Sequence, residues 1–152
     1  MVMDYLFRDY RNADYGEFEQ MVFGLYEDDP EDEPIISENI ASTVRELARH
    51  PEKGKIVIFT SNGEIVGYAI LIFYWSNEFG GNSVYIDELY VKREWRSRGI
   101  ASRLFEYLST FDPENTKALY LEVNPTNPRA RDLYTRQGFA PPRTTLMLKR
   151  LR

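Results

Sequence analysis

The segment from Lys55 to Trp75 limits the possible folds more than any other part of the chain. Lys55 to Thr60 is rich in β-branched residues, Ser61-Asn62-Gly63-Glu64 follows, and Ile65 to Trp75 is almost continuously apolar. Asn-Gly tolerates the positive φ of a type I′ turn, whose twist suits two antiparallel strands. The stretch therefore reads as a β-hairpin. Its second strand offers no polar face to water, so both of its faces must be covered.

The flanking segments supply the cover. Tyr5 to Phe7 reads as a short opening strand. From Asp14 to about Tyr26 the spacing is helical, with Phe18, Met21, Val22 and Leu25 on one face; Asp14 and Glu17 match a capping box. The acidic, proline-punctuated run Glu27 to Pro34 must be a loop. Ser37 is expected to cap a second helix running to about Arg49, with Ile40, Val44, Leu47 and Ala48 inward. After the hairpin come a strand from Val84 to Val91 and a helix from about Arg98 to Thr110. A strand from Leu119 to Val123, a helix from Pro128 to Gln137 and a final strand or hairpin from Phe139 to Leu148 complete the pattern. The order β-α-α-β-β-β-α-β-α-β describes a mixed α/β (α+β) protein built on one sheet, with residues 1–152 expected to form one domain.

Composition excludes several function classes. With no cysteine among 152 residues, thiolate chemistry, disulfides and cysteine-zinc sites are absent. No apolar run approaches the roughly 18 residues of a membrane span, and the N-terminus lacks the pattern of a signal peptide. A cytoplasmic home is the expectation, with no membrane partner. The formal charge of −5 argues against nonspecific nucleic-acid binding and suits a cationic substrate. The single histidine, His50, stands at an expected helix end, where it can favour the helix dipole. No metal site is expected.

Two segments carry chemistry. Arg96-Ser97-Arg98-Gly99-Ile100-Ala101 follows the strand that ends at Val91. Backbone N–H groups at a helix start, together with the helix dipole, attract an anion. Gly99 allows close backbone approach, and Arg96 and Arg98 add donors suited to phosphate. Alone, this pattern also fits an ordinary helix start with solvated arginines. The second segment is Asn127-Pro128-Arg129-Ala130-Arg131-Asp132-Leu133-Tyr134 through Gly138-Phe139. Asn127 can cap a helix begun by Pro128, Ala130, Leu133 and Tyr134 share a stripe, and Gly138 can stop it. Packing alone also accounts for these residues.

Taken together, Ile86-Asp87-Glu88-Leu89-Tyr90-Val91, Arg96-x-x-Gly99-x-Ala101 and Asn127-x-x-Ala130-x-x-Leu133-Tyr134-x-x-x-Gly138-Phe139 resemble the GNAT superfamily of acyl-CoA N-acyltransferases in content, order and separation. The resemblance spans about Ile56 to Phe139. It implies a GNAT-like central, mostly antiparallel twisted sheet flanked by about four helices, with acetyl-CoA as acyl donor. It implies that Arg96, Ser97, Arg98, Gly99, Ile100 and Ala101 bind the pyrophosphate and that Leu89, Tyr90 and Val91 lie along the pantetheine arm. Asn127 and Ala130 would touch the coenzyme, and Tyr134 would lie near the thioester sulfur. Proline often stands in that superfamily where this chain has Arg93. Its members are frequently dimers, so a homodimer is an expected assembly.

The implied reaction is direct acetyl transfer to an amine in a ternary complex, without metal or covalent enzyme intermediate. An alkylamine with a pKa of about 10.4 needs about 4–5 kcal/mol to lose its proton at neutral pH, so a general base is expected. Glu88 is the first candidate and Asp87 the second; strand alternation should let only one of them face the acetyl group. Tyr134 is the expected proton donor to the leaving thiolate. The acidic loop from Glu27 to Glu33 would attract a polyamine or other cationic amine. The stretch from Phe73 to Glu88 also resembles diamine acetyltransferases, while lysine or N-terminal amines of proteins and aminoglycosides stay open as acceptors. The alternative function is a non-catalytic acyl-CoA sensor or interaction module of the same fold.

Overall fold

The computed structural model describes residues 4–112 and 114–152, which fall into two compact units, Met1–Glu122 and Val123–Arg152. The first unit contains β1 (Tyr5–Asp9), α1 (Tyr15–Asp28), α2 (Ser37–Arg49), β2 (Gly54–Ser61), β3 (Glu64–Ser76), β4 (Gly81–Val91), α3 (Ile100–Ser109) and β5 (Thr116–Leu121). The second contains α4 (Pro128–Arg136).

The strands form one sheet in the order β1-β2-β3-β4-β5. Neighbours from β1 to β4 pair antiparallel, and β4 pairs with β5 in parallel. The hairpin forms as its turn chemistry requires: Asn62 and Gly63 take φ of 51° and 82°, and Ser61 pairs with Glu64. Side chains alternate across the pleat, so the two faces have different partners. Ile56, Ile58, Tyr68 and Ile70 pack with Phe18, Met21 and Val22 of α1 and Ile40 of α2. Phe59 points the other way, edge-on to Phe7, whose ring meets Tyr107 of α3. Ile100, Leu104, Phe105 and Leu108 of α3 are buried. Val66, Tyr68, Ala69 and Leu71 of β3 are fully buried, which is the two-sided cover its composition demands.

Four local expectations are corrected. Asp14 does not cap α1 through a box with Glu17. It closes a 3-10 turn (Asn12–Asp14), accepts the Arg11 N–H at 2.8 Å and takes both ends of the Arg8 guanidinium at 2.8 and 2.9 Å. The arginine is a stronger partner for this buried carboxylate than an open helix end. Ser37 is the first residue of α2 rather than its cap. The extended Ile36 precedes it, and the Ile36 carbonyl accepts from Asn39 and Ile40. The third helix begins at Ile100, not Arg98, because Gly99 at φ 81° interrupts the turn before it. No strand forms across Phe139–Leu148. Pro141 and Pro142 offer no N–H to a ladder, and Leu146, Met147 and Leu148 are exposed.

Among the described residues, no helix is long and apolar enough to cross a membrane, and no group of three or more His, Asp or Glu residues could hold a metal ion.

Candidate active site

A bulge in β4 builds the centre of the site. Ile70 pairs with Glu88 and the next β3 residue, Leu71, pairs with Ile86, which leaves Asp87 as the extra residue. Two residues then oppose one, and strict alternation is lost. As a result Asp87 and Glu88 line the same pocket of about 570 Å³, whose apolar lining is Ile70, Ile72 and Phe73 of β3 with Leu47 of α2. Ser42, Thr43 and Glu46 of α2, with Lys53, line its polar part. Glu46 accepts from Lys53 Nζ at 2.6 Å, so its charge has a partner.

Glu88 is held on both oxygens. Tyr26 Oη of α1 donates to Oε2 at 2.8 Å, and Tyr68 Oη of β3 donates to Oε1 at 2.7 Å. Burial pushes the Glu88 carboxyl above the usual carboxylate range; the two phenols oppose that rise, while Asp87 and Glu31 add to it. Burial, followed by the charge of Glu88, raises Tyr26 and Tyr68, so both stay protonated donors. Asp87 makes no side-chain hydrogen bond or ion pair among the described residues. Loss of surrounding water raises its carboxyl although its surface is partly open, and the Glu122 charge raises it further. Glu31, from the loop after α1, is raised by burial and then by Asp29, Glu122 and Asp87. The acidic loop thus shares an electrostatic environment with the pocket carboxylates. Tyr85 Oη donates to Glu122 at 2.6 Å.

Beyond the bulge, β4 parts from β5. Their pairing covers Asn82 to Ile86 on β4 and ends at Leu121 on β5. Leu89, Tyr90 and Val91 pair on the other side with Ala69, Tyr68 and Gly67. The remaining edge of this half-strand can therefore accept an extended chain, as one strand edge accepts another. Gly24 lets α1 approach here, since a Cβ at that position would stand 2.7 Å from the Tyr90 hydroxyl.

The loop from Arg96 to Ala101 joins this strand to α3. Ser97 at φ 62° and Gly99 at φ 81° are left-handed, a backbone form that gathers N–H groups into an anion-binding hollow. Ile100 is buried and anchors the loop, so its backbone rather than its side chain is available to a ligand. The helix start at Ile100 has no side-chain cap, and the first N–H groups of a helix have no intrahelical partner. The Arg98 guanidinium lies 4.8 Å over the Trp95 ring. Arg96 has internal duties: its Nε donates to the Val91 carbonyl and its Nη2 to Asp28, each at 2.8 Å.

In the second unit, Asn127 caps α4 as its position suggests, its side chain accepting from the Ala130 N–H at 3.2 Å. Pro128 opens the helix, and Gly138 at φ 95° follows its end. Tyr134 meets Phe139 edge-on at 6.1 Å between ring centres.

Sequence patterns did not point to the roles of Tyr26, Tyr68, Glu46 or Asp28. One signal was present: Tyr68 is the one phenol within the otherwise aliphatic Ile65 to Ile72, and a buried hydroxyl needs a partner.

Comparison with known proteins places the chain in a family. The family model described as acetyltransferase (GNAT) family matches residues 6–139. A thialysine N-epsilon-acetyltransferase of Bos taurus is 33% identical over 75 residues, 49% of this chain and 44% of that protein. The matched part thus spans under half the relative's length. The structure of a possible acetyltransferase from Clostridium difficile 630 superposes with a TM-score of 0.84 at 22% identity, covering 97% of this chain and 98% of that one. An aminoglycoside N-acetyltransferase in complex with CoA superposes with a TM-score of 0.78 at 13% identity, covering 99% and 97%. These two share the fold, and the family match covers most of the sequence, including the bulged strand and the loop before α3: the chain belongs to the acetyltransferase (GNAT) family.

Proposed function

We propose that this protein transfers the acetyl group of acetyl-CoA directly to a primary amine on a cationic acceptor, and that residues 1–152 work as one catalytic domain. The observation that carries this is the bulge at Asp87, which directs two carboxylates into one pocket at the point where β4 leaves β5. The pantetheine arm would run along Leu89, Tyr90 and Val91. The pyrophosphate would sit on the hollow from Arg96 to Ala101, with Asn127 and Ala130 contributing to the coenzyme site. The CoA-bound aminoglycoside acetyltransferase supports the donor, and the thialysine acetyltransferase supports an amine acceptor.

In the reaction the amine arrives as an ammonium ion, drawn by Asp87, Glu88 and Glu31. Asp87, with no competing hydrogen bond, takes the amine proton. Glu88, fixed by Tyr26 and Tyr68, serves as the stationary anion beside it. The neutral nitrogen attacks the thioester carbonyl, the C–N bond forms, the C–S bond breaks, and the nitrogen's second proton passes through water to replace the one Tyr134 gives up. Tyr134 gives its proton to the leaving thiolate.

A thiol-release assay with acetyl-CoA and a panel of spermidine, lysine peptides and aminoglycosides tests this. Turnover on a cationic amine is expected. CoA binding with no turnover on any amine would favour a sensor of the same fold instead.

A further inference from the structure

Asp28 is the last residue of α1, where the negative end of the helix dipole makes a carboxylate unfavourable. Two arginines from the segment after β4 hold it there. Arg93 Nη2 donates to Oδ1 and Arg96 Nη2 to Oδ2, each at 2.8 Å. They keep the Asp28 carboxyl below its ordinary range. Arg96 is further fixed by its bond to the Val91 carbonyl and lies 5.3 Å over the Tyr90 ring. A second tie joins the same two elements, from Lys92 Nζ to Glu17 at 2.9 Å.

We propose that Asp28 is a positioning residue for the coenzyme: by clasping Arg93 and Arg96 it holds the loop from Arg96 to Ala101 in its anion-binding shape before the ligand arrives. The proposal rests on that loop being the pyrophosphate site. Simple charge counting makes the opposite forecast. A carboxylate among the phosphate-binding arginines should repel the ligand, and its removal should tighten binding. Preorganisation says that removal loosens the loop and weakens binding.

The two are separated by calorimetric titration of the full chain with CoA. Asp28→Asn should bind CoA about three- to tenfold more weakly, the scale of losing a small network of partly exposed ion pairs. Arg93→Gln should weaken binding in the same direction, and the double variant should lose less than the product of the two single losses. With saturating acceptor, KM for acetyl-CoA should rise in Asp28→Asn while kcat holds, a split that general destabilisation would not produce. Equal or tighter CoA binding by Asp28→Asn, or fully multiplicative losses, would overturn the proposal alone. Failure of the unaltered protein to bind CoA would overturn the coenzyme site and this proposal with it.

Discussion

Asp87 and Glu88 are adjacent on β4 yet line one pocket, because the bulge opposite Ile70 and Leu71 cancels strand alternation between them. Their surroundings differ: phenols occupy both oxygens of Glu88, whereas Asp87 has no side-chain partner among the described residues. Asp87→Asn should therefore lower turnover by about 10²–10⁴-fold, the usual range for a general base. It should not lower stability. A carboxyl raised on folding disfavours its ionised form, so at neutral pH it opposes folding, and that opposition fades as pH falls through the folded value. The urea midpoint of Asp87→Asn at neutral pH should equal or exceed that of the parent. A large fall would mark Asp87 as structural.

Tyr26→Phe removes a donor from the ionised form of Glu88. The pair then holds its first proton more firmly, and catalysis that needs both carboxylates ionised is lost at a higher pH. The acid limb of the kcat/KM profile should move toward neutral pH, with activity at high pH little changed. A uniform loss across the profile would deny Tyr26 this tuning role.

Asp14 tests the scaffold rather than the site. It is 6% exposed and accepts from Arg8 Nη1 and Nη2 and from the Arg11 N–H. Arg8 first, and then the Arg11 backbone, holds its carboxyl below the usual range against the opposing effect of burial. A depressed folded value stabilises the protein above the unfolded value of about 3.9 and ceases to do so as pH falls through the folded one. Asp14→Asn should cost about 1.5–3 kcal/mol at neutral pH, as for hydrogen bonds to a charged group. In urea titrations the gap between variant and parent should narrow as pH drops below about 3.9.

Where local chemistry decides structure, the sequence was legible. Asn62-Gly63 turns the hairpin, and Asn127-Pro128 starts α4. The loop from Arg96 to Ala101 and the carboxylate strand were visible as motifs. The bulge was not, because no glycine or proline marks it and it arises from register against β3. The Asp28 clasp joins residues 65 and 68 apart in sequence, and only tertiary packing reveals it. Asp14 looked like a cap because the Arg8 guanidinium that claims it is supplied by a strand. Phe139–Leu148 looked like a strand by composition, but no strand forms there: its two prolines offer no N–H to a ladder and its apolar residues Leu146, Met147 and Leu148 are exposed.

Gly99 and Gly138 offer a matched pair. Both have left-handed φ, 81° and 95°, and a Cβ at either would meet nothing within 4 Å. Alanine at each should cost about 1–2 kcal/mol through the backbone alone. Only Gly99 belongs to the proposed pyrophosphate hollow. Gly99→Ala should therefore weaken CoA binding by about tenfold, the equivalent of 1.4 kcal/mol, while Gly138→Ala lowers the melting temperature comparably and leaves CoA affinity near the parent's. Equal effects on CoA affinity would mean that stability, not loop shape, controls binding.

Tyr134→Phe separates chemistry from binding in the second unit. The Asn127 cap and the contact with Phe139 depend on the backbone and the ring, which phenylalanine keeps. The variant should bind CoA as the parent does. If the phenol protonates the leaving thiolate, kcat should fall by about 10²-fold or more, and kcat/KM by a similar factor, because the lost interaction exists only in the transition state. A rise in KM for acetyl-CoA with kcat unchanged would make Tyr134 a binding residue, and the proton for the thiolate would then have to come from solvent or another group.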